Sequence, residues 1–136
     1  MNRAAKFLDV AAFLVLAALA FSRHPWDTRS ALGLLIAASS FALWMLARWQ
    51  LGRSFSVRAE AKELVSRGLY RRFRHPVYYF GQLAYLGLAV TWGHWIGYLW
   101  VALTFLIQLW RIRKEEAVLE RAFGEQYRIH RANTWI

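Results

Sequence analysis

The sequence predicts an all-α fold: a polytopic membrane protein of about four transmembrane helices, ending in a C-terminal cytoplasmic helix. Three observations carry that expectation. First, 58% of the 136 residues are hydrophobic, yet the net charge is +10. An ordinary soluble domain is about 45–50% apolar, so a chain both greasy and basic must separate the two properties in space. Second, residues 77–110 contain no Asp, Glu, Lys or Arg, a run too long for one spanning helix of roughly 20 residues and just sufficient for two short ones. Third, the polar stretches of any size are confined to residues 50–75 and 111–136. With no cysteine, the chain has neither disulfides nor thiolate chemistry, and its length suits one domain, residues 1–136.

The elements follow in order. Residues 7–21 form a short apolar segment with Asp9 near its start. Arg3, Lys6 and Ala18-Leu19-Ala20 also resemble a secretory signal with its cleavage site, but Asp9 interrupts the apolar region and the segment is read as the first span. Residues 31–49 are the second span, with Arg48 at its end, where it can snorkel to the interface. The long charge-free run divides into spans at 77–92 and 95–110. The stretch Thr91-Trp92-Gly93-His94-Trp95-Ile96-Gly97 should break it, because two glycines loosen the helix and two tryptophans suit the headgroup level. Residues 111–129 then read as one helix leaving the membrane, with Ile112, Leu119 and Phe123 on an apolar stripe.

Charge sets the expected orientation. The N-terminal end, residues 48–74 and the tail carry sixteen of the 18 Lys and Arg residues. With four spans these three regions share one face, which the positive-inside rule makes cytoplasmic. The expected location is therefore a membrane such as the bacterial inner membrane, with both termini cytoplasmic. Topology and anionic headgroups account for the +10, so the lipid bilayer is the expected partner and nucleic acid is not.

Several chemistries lack their motifs. No G-x-G-x-x-G or phosphate-binding loop is present, nor a G-x-S-x-G nucleophile elbow. The histidines at 24, 75, 94 and 130 lack metal-ligand spacing, so no metal is expected. The informative residues flank the hydrophobic hairpin. On one side, "RFRHPVYYFG" places His75-Pro76 between the basic loop and the apolar run. Pro76 suits the first turn of a helix, where its missing N–H costs nothing, and a basic flank explains the arginines, but neither explains His75, Tyr78 or Gly81. On the other side, Glu115 lies four residues after Arg111, and Glu116 falls on the apolar stripe. The Arg111–Glu115 spacing is equally that of an ordinary i,i+4 pair worth a few tenths of a kcal/mol and of a partnered carboxylate at the membrane edge.

Together, "LVSRGLYRRFRHPVYYFG" and, after the hydrophobic hairpin, "RIRKEEAVLERAFGEQYRIHR" resemble the isoprenylcysteine carboxyl methyltransferase family, part of a larger group of integral-membrane methyltransferases that includes phospholipid methyltransferases. The resemblance covers residues 50–131. It implies S-adenosyl-L-methionine as cofactor, held by residues 62–81 and 111–131, and methyl transfer at the cytoplasmic membrane face. The acceptor would be lipophilic or small: a prenylcysteine-like carboxylate, a phospholipid amine or a thiol. Carried onto this chain, the cofactor-binding positions are Leu64, Val65, Tyr70, His75, Pro76, Val77, Tyr78 and the Glu115-Glu116 pair, with Arg111 positioning the substrate. Leu69 stands where the family often has proline, and His130 where it often has a second tyrosine. Membrane sterol reductases, which use NADPH, share an H-P-x-Y-like turn, but their tail motif carries a cysteine that this chain lacks. A non-catalytic membrane scaffold on the same fold is the other alternative.

Overall fold

The computed structural model describes residues 8–23, 27–52 and 67–135. These form α1 (Leu8–Arg23), α2 (Thr28–Leu51), a 3-10 turn (Gly68–Arg71), α3 (Pro76–Trp92), α4 (Trp95–Phe123) and α5 (Glu125–Asn133). Among the described residues there is no strand, only a single parallel bridge between Phe73 and Trp135. The all-α expectation therefore holds for them.

Helix α2 starts earlier than hydropathy indicates because Asp27 caps it. The Asp27 carboxylate accepts from Ser30 N at 2.7 Å, and Ser30 Oγ accepts from Asp27 N at 3.0 Å, closing a reciprocal capping box. Helix α3 begins at Pro76, as its fixed φ favours, and ends at Gly93 in the left-handed conformation. The turn that follows falls where the 77–92 and 95–110 spans leave it, at Gly93 and His94. Gly97 lies inside α4, buried, where a Cβ would come within 3.3 Å of Ala89. It serves close helix packing rather than loosening the chain.

A second correction concerns the tail. The expected 95–110 span and 111–129 helix are not separate elements, because α4 runs unbroken through 29 residues. Nothing between Trp110 and Arg111 interrupts the backbone ladder. The break falls instead at Gly124, with φ +48°, and α5 follows it.

Among the described residues, two helices, α2 and α4, are long and apolar enough to cross a membrane. Helices α1 and α3, at 16 and 17 residues, are shorter than the roughly 20 residues of a full span. Helix α3 is the hub. Against α2 it packs backbone to backbone: a Cβ on Gly33 would lie 2.5 Å from Thr91 N, and one on Gly87 would collide with Ala37 N. Such small residues bring helices together where apolar surface alone gives little drive. Helix α1 joins through aromatics. Phe13 stacks on Phe41 at 4.8 Å and meets the edges of Trp44 and Tyr85. Helix α4, by contrast, leaves most of its large apolar residues exposed, among them Leu99, Leu103, Phe105, Leu106 and Trp110.

Candidate functional site

The site is assembled at one end of the bundle from the 3-10 turn, the start of α3 and the middle of α4. Gly68, at φ +60°, lets the chain turn in a conformation that L side chains avoid, and a Cβ there would run into the Gln50 side chain. Gln50 Oε1 also accepts from Leu69 N at 2.7 Å, tying the turn to the end of α2. Tyr70 is thereby driven into the core at 6% exposure. Its hydroxyl titrates well above the ordinary tyrosine range, chiefly because of burial, then because Glu115 is near, although Arg48 opposes the shift.

The chain terminus braces the next residues. Arg74 N donates to Trp135 O at 3.1 Å and Trp135 N to Arg72 O at 2.7 Å, which fixes the approach to α3. His75, 7% exposed, is the α3 N-cap and makes no capping hydrogen bond with its side chain. Its ring turns to α4, with Nε2 3.4 Å from Glu116 Oε1, an oxygen that also accepts from Arg74 Nη1 at 2.9 Å. Burial holds the imidazole below its ordinary pKa despite the Glu116 contact. Glu116 lies beyond the 95–110 stretch. Burial pushes its pKa up, but the hydrogen bonds from Arg74 and His75 outweigh this and leave it lowered.

One turn into α3, Tyr78 donates to Glu115 Oε1. The same oxygen accepts from Arg111 Nε at 3.2 Å, and the Arg111 guanidinium lies over the Tyr78 ring, 5.5 Å from its centroid. Two polar couples therefore bridge α3 and α4: Tyr78–Glu115–Arg111 toward the membrane, and His75–Glu116–Arg74 toward the tail. The adjacent glutamates point to different partners because neighbouring helical positions are rotated by about 100°.

The structure thus brings together Tyr70, His75, Tyr78, Arg111, Glu115 and Glu116. Pro76 and Val77 are buried beside them. Leu64 and Val65 lie outside the described residues.

Arg74, Tyr127 and the Arg48–Asp9 pair also shape this end of the bundle, and the sequence motifs assign none of them a role. Arg74 clamps Glu116 and also donates to Arg131 O at 3.2 Å; its adjacency to His75 was the available signal. Tyr127, 1% exposed, packs under the cluster, with burial and Glu116 pushing its hydroxyl up to about 12. It belongs to the quoted tail motif. Arg48 does not snorkel freely. It is 8% exposed, paired with Asp9 of α1, and set over Trp44 at 5.7 Å. No sequence spacing links residues 9 and 48.

Chemically, the cluster offers two carboxylates, aromatic faces and two arginines. A cation is accommodated by carboxylates and ring faces, and the Tyr78 ring already carries one in Arg111. The cluster thus sets carboxylates and ring faces, which suit a cation, beside two arginines, which suit a carboxylate or phosphate. A sequence profile described as phospholipid methyltransferase matches residues 28–126, from the start of α2 into α5. Comparisons with curated proteins and with solved structures give no match.

Proposed function

Because this chain belongs to the phospholipid methyltransferase family, we propose that it transfers a methyl group from S-adenosyl-L-methionine to a lipophilic or small acceptor at the cytoplasmic face of a membrane. The observation that carries this reading is the pairing of the R-H-P-x-Y turn with the Glu115-Glu116 pair across α3 and α4. The cofactor supplies a methyl group already activated by its sulfonium. What remains for the protein is to hold both partners at near-attack distance. In this reading Tyr70, Tyr78 and Glu115 would hold the cofactor on the side nearer the membrane, and His75, Glu116 and Arg74 on the side nearer the tail. Arg111 lies on the membrane side of Glu115, where an acceptor carboxylate or phosphate can meet its guanidinium fork. It positions the acceptor and is no base, since it stays protonated.

Calorimetry with S-adenosylhomocysteine on the detergent-purified protein tests the assignment. His75→Ala and Glu115→Ala each remove a hydrogen bond to a charged partner, worth about 1.5–3 kcal/mol, so affinity should fall roughly ten- to a hundredfold. If both variants bind like the wild type, or if the wild type binds NADPH instead, the assignment is wrong. Mass spectrometry of the protein's own membrane extract for methylated products then separates carboxylate, amine and thiol acceptors.

A further inference from the structure

Two carboxamides lie within the charge-free run of residues 77–110, Gln82 on α3 and Gln108 on α4. Away from water, such a group is costly unless it finds a partner. Gln82 finds several. Its Nε2 donates to Val101 O at 2.6 Å and lies 3.3 Å from Thr104 Oγ1, which stands 3.4 Å from Gln82 Oε1. That amide joins α3 to α4 and is fully occupied in doing so. Gln108, half-buried, makes no hydrogen bond with its side chain among the described residues.

Its place on α4 sets it beside the candidate site. Thr104, four residues earlier, meets Gln82. Arg111, three residues later, and Glu115, seven later, meet Tyr78. Residues at these intervals share one helix face, so Gln108 belongs to the stripe that α4 turns to α3. Its neighbours Leu106, Ile107 and Trp110 are exposed instead. Depth follows from the helical rise. The two helices run antiparallel across the Gly93-His94 turn. Four residues separate Gln82 from Tyr78 on α3 and Thr104 from Gln108 on α4, about 6 Å in each case. Gln108 therefore stands level with the Tyr78 backbone, on the membrane side of the Tyr78–Glu115–Arg111 couple.

We propose that Gln108 determines acceptor specificity: its carboxamide donates to a carbonyl oxygen of the methyl acceptor, on the hydrocarbon side of the anionic group that meets Arg111. This rests on the methyl-transfer reading above. A guanidinium fork binds carboxylates and phosphates alike, so Arg111 alone does not tell one anionic acceptor from another. A carboxamide one turn away adds a directional contact, and a site built to hydrogen-bond a group rejects the analogue that lacks it. The acceptors so favoured share one feature, an anion followed a few bonds toward the hydrocarbon by an amide or ester carbonyl. An N-acylated prenylcysteine presents it as carboxylate and amide, and a diacyl phosphatidylethanolamine as phosphate and ester. A simple thiol presents neither.

The test offers the full chain, in detergent with methyl-labelled S-adenosyl-L-methionine, paired acceptors that differ in the group bearing that carbonyl. One pair is N-acetyl-S-farnesylcysteine and S-farnesylthiopropionic acid. The other is a diacyl phosphatidylethanolamine and its dialkyl ether analogue. The wild type should favour the carbonyl-bearing member of one pair in kcat/KM, roughly three- to tenfold for one neutral hydrogen bond. The pair that shows the preference identifies the acceptor. Gln108→Leu should abolish the preference, and Gln108→Met, which keeps the length without the amide, takes its place should the leucine variant fold poorly. A variant that slows both members equally and keeps the preference makes Gln108 merely structural and overturns the proposal. So does a wild type that shows no preference in either pair, or that methylates none of the four. S-adenosylhomocysteine calorimetry on the same samples separates the two readings. Cofactor binding without a carbonyl preference sinks the role of Gln108 alone, whereas absence of cofactor binding sinks the methyl transfer on which it rests.

Discussion

His75 shows how much one residue's surroundings change its meaning. In the chain it is a histidine next to a proline at the edge of a basic run. In the fold it is buried against Glu116, and burial holds its pKa below the ordinary 6.5. His130 is lowered as well, first by burial and then by Arg74. Between each folded value and 6.5, the unfolded chain binds a proton that the folded chain does not, so stability rises with pH across that window. Acidifying the detergent-solubilised protein from neutral pH through 6.5 is therefore expected to lower its thermal midpoint. The His75→Gln, His130→Gln double variant should flatten that part of the curve, and a slope unaltered by it would assign the acid sensitivity elsewhere. Glu116 adds a separate loss at lower pH, below its ordinary 4.5, because its own pKa is depressed. Arg111 is tested by function rather than stability. Arg111→Ala should abolish turnover while leaving S-adenosylhomocysteine affinity within a few-fold, and Arg111→Lys should recover little, because lysine keeps the charge without the fork. Lost cofactor binding in Arg111→Ala would instead mean that the arginine only positions Glu115, to which it is bonded.

Among the elements, α1 and the α2–α3 crossing make different demands. Helix α1 is tied down by the Phe13 aromatic cluster, by Tyr85 Oη on Asp9 O, and by the Asp9–Arg48 pair. Asp9→Ala takes away the carboxylate facing a buried guanidinium. The expected cost is about 1–3 kcal/mol, less than for a fully buried pair because Asp9 is half exposed. Asp9→Ala combined with Arg48→Met should recover part of that loss, measured as thermal unfolding in the same detergent. A double variant as unstable as the sum of the singles would show that the pair is not energetically coupled. At the crossing, Gly87 leaves no room for a side chain against the Ala37 backbone. Gly87→Val must push α2 and α3 apart. It should cost about 1–3 kcal/mol or more by overpacking, whereas Ala38→Val, at an exposed position on α2, should change the midpoint little.

At the scale of the whole molecule, the charge distribution and the exposed apolar surface of α4 make one further expectation testable. Reporter fusions at residue 60 and at the C-terminus should both report cytoplasm, and a fusion near residue 27 should report the opposite face. A reversed result at residue 60 would overturn the four-span arrangement, in which the shorter α1 and α3 cross alongside α2 and α4.

Helix content and the position of the hydrophobic hairpin were legible from the sequence because they depend on runs: charge-free stretches, 3.6-residue periodicity and a proline at a helix start. The candidate site was legible in part, since two motifs at a fixed separation drew attention to His75, Tyr78, Arg111 and Glu115. The extent of α4 was not, because a helix stops where its backbone ladder is broken, at Gly124, and not where its hydropathy falls. Nor was the division of labour between Glu115 and Glu116, which depends on how far α4 is rotated against α3. The Asp9–Arg48 pair and the docking of Trp135 on Phe73 join residues 39 and 62 positions apart. Such contacts arise only once packing around Phe13, Gly33 and Gly87 has set the helices at their distances, and tertiary structure alone decides them.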